Sequence, residues 1–509
     1  MMPRVNSPTH VLIAAFTLGW FADLLFYGKD LGISALIFVL LVLATLYLLS
    51  RQEDVRPARR NLWLMLPTLF FAGMVSLHAN FFLSALNVLA VITLLGLVAY
   101  FYSAGRVERL GIFGYPIALI LAGAHAIALA VPLVPASMDV EAVRKKSLPV
   151  LVPLARGLLL ALPVLSIFTC LLASADMVFA SYLTGIFRLD VLADLQEMAL
   201  HVLIITWIAW LLAGGIVYAL GRRQQAQASG DEPWEDALKS IPRMIGFVEA
   251  TTLLVLVDLL FLSFGLIQFA YLFGGQNNIT AEGFTYADYA RRGFFELIAV
   301  SVLTLGLILG LHRLVPRNSR RQAAIFNGLS SVMVGLVLVL LASAFWRMLL
   351  YQEAYGFTHL RLYVHIFEIW LAITFLWLLV TLWVMPNRFA IGGFVAALGF
   401  LVTLNIANPD VLIAERNLDR YYTTGKLDVA YLTGLSEDAV PLLTQAADRM
   451  GGPEGELLRR NLDRRKEQMD ASVGWREWPA FHLARMQAYD ALTAREALLQ
   501  KQTSGKGSP

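Results

Sequence analysis

The chain has 509 residues, of which 58% are hydrophobic and 15% are charged, and its mean hydropathy is +0.65. Soluble domains are typically about 45–50% apolar and about 25% charged, and a single soluble core stops growing near ~250–300 residues. This composition excludes a single soluble domain, a fibrous protein and a disordered chain. A net charge of +3 gives no basic stripe for nucleic acid, and the one cysteine, Cys170, excludes an internal disulfide and a cysteine-based metal site.

Apolar segments long enough to cross a bilayer recur along the chain. A helix needs about 20 apolar residues to cross the ~30 Å hydrocarbon layer. The first segment is interpreted as a retained helix rather than a signal peptide, because no small-residue cleavage site follows it and Asp23 interrupts it. The sequence therefore predicts an all-α fold, a polytopic transmembrane helix bundle of about 12 spans. The predicted spans are 10–27, 31–49, 62–77, 80–102, 112–135, 150–172, 197–220, 241–273, 293–314, 324–349, 360–384 and 389–407.

The composition changes after residue 407. Residues 408–509, here called the tail, carry 14 Lys and Arg and 15 Asp and Glu, which is an ordinary charged fraction for a soluble domain. The tail pattern predicts helices at 437–450, 454–472 and 479–500, with Ser436 as the N-cap of the first. The predicted regions are an N-terminal transmembrane region at 1–149, a transmembrane core at 150–407 and a small helical soluble domain at 408–509.

The short polar segments between the spans, here called joints, indicate how the chain is oriented in the membrane, since cytoplasmic loops carry excess Lys and Arg. In a strict twelve-span alternation, the joints at 144–146, 222–239 and 317–321 share one face. The joints at 51–60 and 106–109 then fall on the opposite face. Both sets cannot be cytoplasmic, and the later joints separate longer and better-defined spans. They therefore set the orientation, which places the tail on the non-cytoplasmic side.

Four polar segments share one face under the same alternation, namely 173–196, 274–292, 350–359 and the tail. Their guanidinium groups match phosphate or carboxylate, and ionisable side chains inside spans suggest function. A structural interpretation stays open, in which an aromatic belt, snorkelling arginines and a buried polar network fix helix packing. The candidate ligand-binding residues are Asp176, Asp258, Tyr286, Tyr289, Arg291, Arg292, Glu296, Arg347, Tyr351, Arg361, His365 and Glu368.

Two features of the spans are specific. Arg361, His365 and Glu368 are spaced i, i+4 and i+7, which places a cation, an imidazole and a carboxylate on one helix stripe. Asp258 lies deep in its span, and we expect it to pair with Arg347 or Arg361. Standard catalytic motifs and metal-ligand spacings are absent from the sequence, so neither a metal nor a cofactor is expected.

Several stretches, together spanning roughly 150–450, look like those of one bacterial multi-pass family. The tyrosine–arginine run at 286–297 is the most specific of them. The others are Ser174-Ala175-Asp176, Glu249-Ala250-Thr251, Tyr271–Gly275, Arg347–Tyr351, Tyr355–Thr358 with Arg361, and Asn408-Pro409-Asp410 with Arg416-Asn417. On these residues the chain resembles the domain-of-unknown-function family numbered 4173, which has a relative numbered 4153. The resemblance implies a bacterial inner (cytoplasmic) membrane location and implies no activity.

Three functions remain open at this point. The first is a protein of the lipid bilayer that binds or transports an anionic or lipid-linked small molecule, held by the candidate arginines. The second is a membrane transferase that acts on a lipid-linked substrate, with a candidate acid as base and the arginines as a phosphate clamp. The third is a sensor or assembly protein whose tail presents Trp475, Trp478 and Phe481 to a partner. The sequence does not choose among them.

Overall fold

The computed structural model describes residues 5–137, 193–229, 245–273, 294–385, 388–472 and 474–505. Within these ranges the chain is 86% helical and contains no strand. Eleven helices in the described ranges are long and apolar enough to cross a membrane. They confirm the predicted all-α polytopic bundle and match eleven of the predicted spans. The remaining predicted span, 150–172, lies outside the described residues.

The membrane-length helices follow the predicted spans closely. The short span with Pro67 forms because the proline lies in the first turn of its helix, where a missing N–H removes no helical hydrogen bond. A 3-10 turn at Arg59–Leu64 precedes that helix. The helices are α1 Pro8–Phe26, α2 Ile33–Gln52, α3 Met65–Leu77, α4 Phe81–Phe101, α5 Gly114–Ser137, α6 Ala193–Ser229, α7 Phe247–Phe273, α8 Phe294–Leu314, α9 Arg320–Tyr355, α10 His359–Trp383 and α11 Phe389–Ala407.

The tail begins with a sharp change of direction. Asn408 adopts a left-handed conformation with φ 42°, and Pro409 then occupies the first position of the next helix, where its fixed φ suits a helix start. The buried Leu443, Leu458 and Leu492 lie in the core of the tail. The three predicted tail helices are present as α14, α15 and α16, although the last begins only at Leu483. The tail helices are α12 Pro409–Thr424, α13 Val429–Thr433, α14 Val440–Arg449, α15 Gly452–Ala471 and α16 Leu483–Gly505.

The tail packs against one membrane face, here called the tail face. Arg485 donates to a carboxylate oxygen of Asp30 at 2.6 Å, in the loop between α1 and α2. The Ile33 N–H, at the start of α2, donates to the Phe481 carbonyl at 3.0 Å. The loop between α3 and α4 and the start of α10 also contact the tail. The ends of α1, α3 and α11 and the starts of α2, α4 and α10 therefore lie together.

The joints at the opposite face, here called the basic face, contact one another. The Ala58 N–H donates to the Tyr102 carbonyl at 2.7 Å, which links the joint before α3 to the joint after α4. The Ser103 hydroxyl donates to the Ala219 carbonyl at 2.7 Å, near the end of α6. This face therefore carries the arginines of the joints at 51–60 and 106–109.

The path of α6 corrects the predicted alternation. His201, early in α6, binds Asp23, which lies near the end of α1, at 2.7 Å, so these two helices are antiparallel and α6 begins at the tail face. The joint at 144–146 lies outside the described residues. The predicted placement of 51–60 and 106–109 opposite the joints at 222–239 and 317–321 is wrong. In the described chain they share the basic face with the arginines at the end of α6 and before α9.

Close helix packing accounts for this arrangement. The Trp210 indole N–H of α6 donates to the Ile127 carbonyl of α5 at 3.0 Å. Gly214 lies directly against the Ala126 backbone, and a side chain at Gly214 would overlap with it. Small residues at such contacts let membrane helices approach closely. Farther along α6, Tyr218 stacks on His125, so α5 and α6 are antiparallel and α5 ends at the face where α6 begins.

Helix α9 is the centre of the second group of membrane helices. Helices α7, α8 and α10 pack against it. Phe326, Met333 and Val337 of α9 are fully buried in this contact, as is Phe375 of α10. A helix that is apolar on all sides is expected in such a position. Ionisable residues that lie on α7 and α10 and face α9 are consequently removed from both water and lipid.

Candidate functional site

A dense polar network joins the tail to the membrane helices, and Asp410 is its most buried member. The first turn of α12 places its carboxylate at a helix N-terminus, where negative charge is stabilised. The carboxylate accepts hydrogen bonds from His359 Nε2 at 2.8 Å and from Asn80 Nδ2 at 2.6 Å. The Ser436 hydroxyl lies 2.9 Å from its second oxygen. Asp410 therefore connects the starts of α4 and α10 to the tail.

Asp438 makes the second set of contacts across the same boundary. Its carboxylate accepts the Ala79 backbone N–H at 2.6 Å and the His78 Nδ1–H at 3.1 Å, both from the loop between α3 and α4. Asn408 donates to it at 2.9 Å from the junction of α11 and α12. The Ser436 hydroxyl lies 2.9 Å from this carboxylate also, so it bridges the two acids. Ser436 holds the predicted N-cap position, but its hydroxyl is committed to this bridge and caps no backbone N–H.

The ring of His359 is held at both of its nitrogens. The His359 backbone N–H donates to the Tyr431 hydroxyl oxygen at 2.9 Å. The same hydroxyl lies 3.0 Å from His359 Nδ1. His359 Nε2 carries a proton and donates it to Asp410, because a carboxylate can only accept. These contacts fix the ring in one orientation and use both of its nitrogens.

The electrostatics of the network favour ionised carboxylates. Burial on its own raises the pKa of Asp410, but hydrogen bonds from His359, Asn80 and Ser436 outweigh burial and bring its pKa below the ordinary 3.8. Burial likewise raises the pKa of Asp438, while His78 and the Ala79 N–H bring its pKa below that value. Both acids are already engaged by several donors. The network is therefore suited to fixing the tail in place rather than to proton transfer with a substrate.

The turn between α9 and α10 is hydrogen-bonded to α12. The Asn417 side chain accepts the Phe357 N–H and donates to the Phe357 carbonyl, each at 2.9 Å. Gly356 adopts φ +83°, and a Cβ there would lie 2.6 Å from the Asn417 oxygen, so glycine is required. Arg361 donates to the Gly356 carbonyl, and its guanidinium lies 4.1 Å from the centre of the Tyr351 ring. Arg361 and Tyr351 thus help to shape this turn at the tail face.

Two acids lie deep among the membrane helices. Asp258 of α7 is 7% exposed and Glu368 of α10 is 1% exposed. In the part of the chain that the structure describes, no oxygen of either carboxyl accepts or donates a hydrogen bond. The predicted pairing of Asp258 with Arg347 or Arg361 is therefore wrong. Arg361 is drawn instead to the turn at the tail face.

The predicted stripe on α10 separates into different environments. Arg361 points to the turn, and His365 packs on the Phe345 ring of α9, with 3.9 Å between ring centres. Arg347 is buried near the tail-face end of α9, and Glu296 is exposed in the first turn of α8. Among the described residues, no three His, Cys, Asp or Glu side chains are grouped to hold a metal. The candidates Asp176, Tyr286, Tyr289, Arg291 and Arg292 lie outside the described residues.

The sequence did not predict a site at the polar network around Asp410 and Asp438, which is here called the junction. His78, His359, Asp410 and Asp438 are each unremarkable in their local sequence, and His78 and Asp438 are 360 positions apart. The available signal was Asp410 itself, because it follows Asn-Pro at the end of the last span. A polar residue placed there lies at the membrane boundary next to the N-terminus of a new helix.

Comparison with known proteins gives a family. Residues 65–446 match the family described as Domain of unknown function (DUF4153). The match covers more than half of the chain, so the chain belongs to this family. Comparison with curated proteins and with solved structures gave no match.

Proposed function

We propose that this DUF4153 member is a membrane protein that binds or transports an anionic or lipid-linked ligand, with Asp258 and Glu368 as exchange groups on the route. The burial of these two carboxyl groups without hydrogen-bond partners among the described residues carries the proposal. Ionisable groups inside a membrane are costly, and they mark ion, proton or substrate pathways. A purely structural role requires a partner, because a buried polar group without a hydrogen bond is destabilising.

The position of the two acids supports a shared route along α9. Asp258 lies on α7 and Glu368 on α10, and both helices pack against α9. Glu368 lies seven residues from Arg361, which is about 10 Å along a helix. A ligand that enters at the tail face therefore meets Arg361 before Glu368. Guanidinium groups bind phosphate and carboxylate, which favours an anionic or lipid-linked ligand at that entrance.

The orientation of the chain belongs to the same proposal. The basic face carries the arginines of at least three joints, and cytoplasmic loops are enriched in Lys and Arg. The basic face is then cytoplasmic, and the tail faces away from the cytoplasm of a bacterial inner membrane. Protease added to spheroplasts should cleave the tail, whereas the same protease added to inverted vesicles should not. The resemblance to the family numbered 4173, the relative of DUF4153, stays a prediction.

The two alternative functions draw less support. A transferase for a lipid-linked substrate needs an acid that opens to a lipid-accessible surface, and Asp258 is only 7% exposed. A recruiting tail needs freedom to meet a partner, and the tail is fixed to the membrane helices through Asp410 and Asp438. Neither alternative explains why, within the ranges that the structure describes, two carboxyl groups inside the spans have no hydrogen-bond partner.

Proton movement tests the exchange role directly. The protein is reconstituted in vesicles of phosphatidylethanolamine and phosphatidylglycerol loaded with pyranine, and a potassium diffusion potential is imposed with valinomycin. We expect the wild-type protein to acidify the interior faster than protein-free vesicles do, and Asp258→Asn and Glu368→Gln to slow this several-fold. Glu353→Gln, at an exposed position on α9, is the matched control. Equal rates in all four proteins, or a wild-type rate equal to that of empty vesicles, would overturn the exchange role.

Lipid retention tests the ligand class. The wild-type protein and Arg347→Gln are purified from phosphatidylglycerol-containing membranes, and the bound phospholipid is counted by native mass spectrometry. We expect Arg347→Gln to lose retained anionic lipid, because Arg347 is a buried cation near the tail-face end of α9, where the proposed ligand enters. Arg320→Gln, at an exposed position on the same helix, should keep it. The same retention in both variants would count against anion binding by Arg347.

A further inference from the structure

An aromatic patch on the tail lies at the edge of the membrane helices. Trp478 is 60% exposed and Phe481 is 40% exposed, although both are large apolar side chains. They belong to the short segment that precedes α16, where a 3-10 turn spans Trp478–Ala480. Exposed aromatic residues placed together on a folded surface indicate a contact with something else.

The depth of this patch is fixed by its backbone. Helix α2 has 20 residues, which gives it a length of about 30 Å, the thickness of the hydrocarbon layer. Ile33 is its first residue, so Ile33 lies at the boundary between hydrocarbon and headgroups. The Ile33 N–H donates to the Phe481 carbonyl at 3.0 Å. Phe481 and the neighbouring Trp478 therefore lie at the level of that boundary.

Further contacts hold the segment in one orientation. His482 donates through Nε2 to the His78 carbonyl at 2.8 Å, next to the start of α4. Arg485 pairs with Asp30 at 2.6 Å. Lys29 lies 3.6 Å from Glu477. These two ion pairs tie the segment on both sides of the patch to the loop between α1 and α2.

The patch continues the lipid-facing surface of the spans. Leu31, just before α2, is 46% exposed, and Phe81, the first residue of α4, is 87% exposed. We propose that Trp478 and Phe481 are an interfacial anchor, which inserts the tail into the boundary between lipid headgroups and acyl chains. Tryptophan favours this layer because its ring is apolar and its N–H is polar. The occupant of the patch is thus lipid and not a second protein.

Site-directed spin labelling in the full-length protein tests the anchor. In a Cys170→Ser background, nitroxides are attached at Trp478→Cys, at Leu457→Cys and at Leu40→Cys. Leu457 is an exposed apolar residue on α15 of the tail, and Leu40 is an exposed residue within the span of α2. Power saturation in vesicles of phosphatidylethanolamine and phosphatidylglycerol measures collisions with oxygen, which partitions into lipid, and with a water-soluble nickel complex.

The anchor predicts how often each label collides with the two reagents. The label at position 478 should meet the nickel complex several-fold less often than the label at position 457, and it should meet oxygen more often, in the direction of the label at position 40. A label at position 478 that behaves like the label at position 457 would overturn the anchor and leave the patch free for a protein. Phe481→Cys provides an independent reading if Trp478→Cys does not fold, with the same expected and contradicting results.

Discussion

Removal of the Asp410 carboxylate should release the tail from the membrane helices. Asp410 is fully buried, and its oxygens accept from His359 and Asn80 and lie within bonding distance of Ser436. The substitution Asp410→Ala leaves these groups facing a small apolar side chain. Water cannot replace the lost acceptor unless the junction opens. The cost is therefore expressed as separation of the tail from the tail face.

The size of the effect follows from the number of contacts. A hydrogen bond to a charged group contributes about 1.5–3 kcal/mol, and the loss of one partner from a buried ionic network costs about 3–5 kcal/mol. The three contacts share one carboxylate, so their energies are not additive. We therefore expect Asp410→Ala to lower the free energy of unfolding of the tail by about 3–5 kcal/mol.

Pulse proteolysis in urea measures this free energy in the full-length protein in micelles. The matched control is Asp419→Ala, because Asp419 is exposed on the same helix and its side chain has no described partner. The control should change the free energy of unfolding by less than about 0.5 kcal/mol. Asp410→Ala and Asp419→Ala with the same urea midpoint would refute the conclusion that the Asp410 carboxylate fixes the tail to the membrane helices.

Three further predictions follow from single contacts. Gly214→Ala should lower the thermal unfolding midpoint, because its Cβ overlaps the backbone of α5 and overpacking costs about 1–3 kcal/mol, whereas Gly215→Ala meets only an ordinary contact at 4.0 Å and should not. Asn417→Ala should speed amide hydrogen exchange in the turn between α9 and α10, since a buried group left without its partner costs about 1–3 kcal/mol; unchanged exchange would contradict this role. The pKa values of Asp410 and Asp438 are lowered on folding, so their stabilisation is present above the ordinary 3.8 and is lost as the pH falls through the lowered values. The urea midpoint of the tail should therefore decrease when the pH is lowered below about 4. A urea midpoint that does not change with pH in this range would be inconsistent with ionised Asp410 and Asp438.

Most of the fold could be predicted from local hydropathy. Each span is a continuous apolar segment of bilayer length, so its position is encoded within its own residues. The direction of α6 could not be predicted in this way. It depends on the close approach of Gly214 to Ala126, which lie far apart in sequence, and on the Asp23–His201 pair.

The candidate site was predictable only in part. Asp258 and Glu368 were identifiable because each acid interrupts an apolar span. The helices packed around them were not, since a span that is apolar on all sides gives no indication of which face meets which neighbour. The junction was hidden for a different reason. Asn80 and Asp410 are 330 positions apart, and only the folded chain shows that they meet.

The thermal stability of Glu368→Gln tests most directly the claim that Glu368 is an exchange group rather than a structural residue. A residue that serves function need not stabilise the fold. Glu368 has no hydrogen-bond partner in the described chain, so a neutral side chain of the same shape removes no contact. Thermal unfolding in micelles should give a midpoint equal to or above that of the wild-type protein. A fall equivalent to about 3–5 kcal/mol, the cost of breaking a buried ionic contact, would show that the carboxyl is structural and would contradict its role as an exchange group.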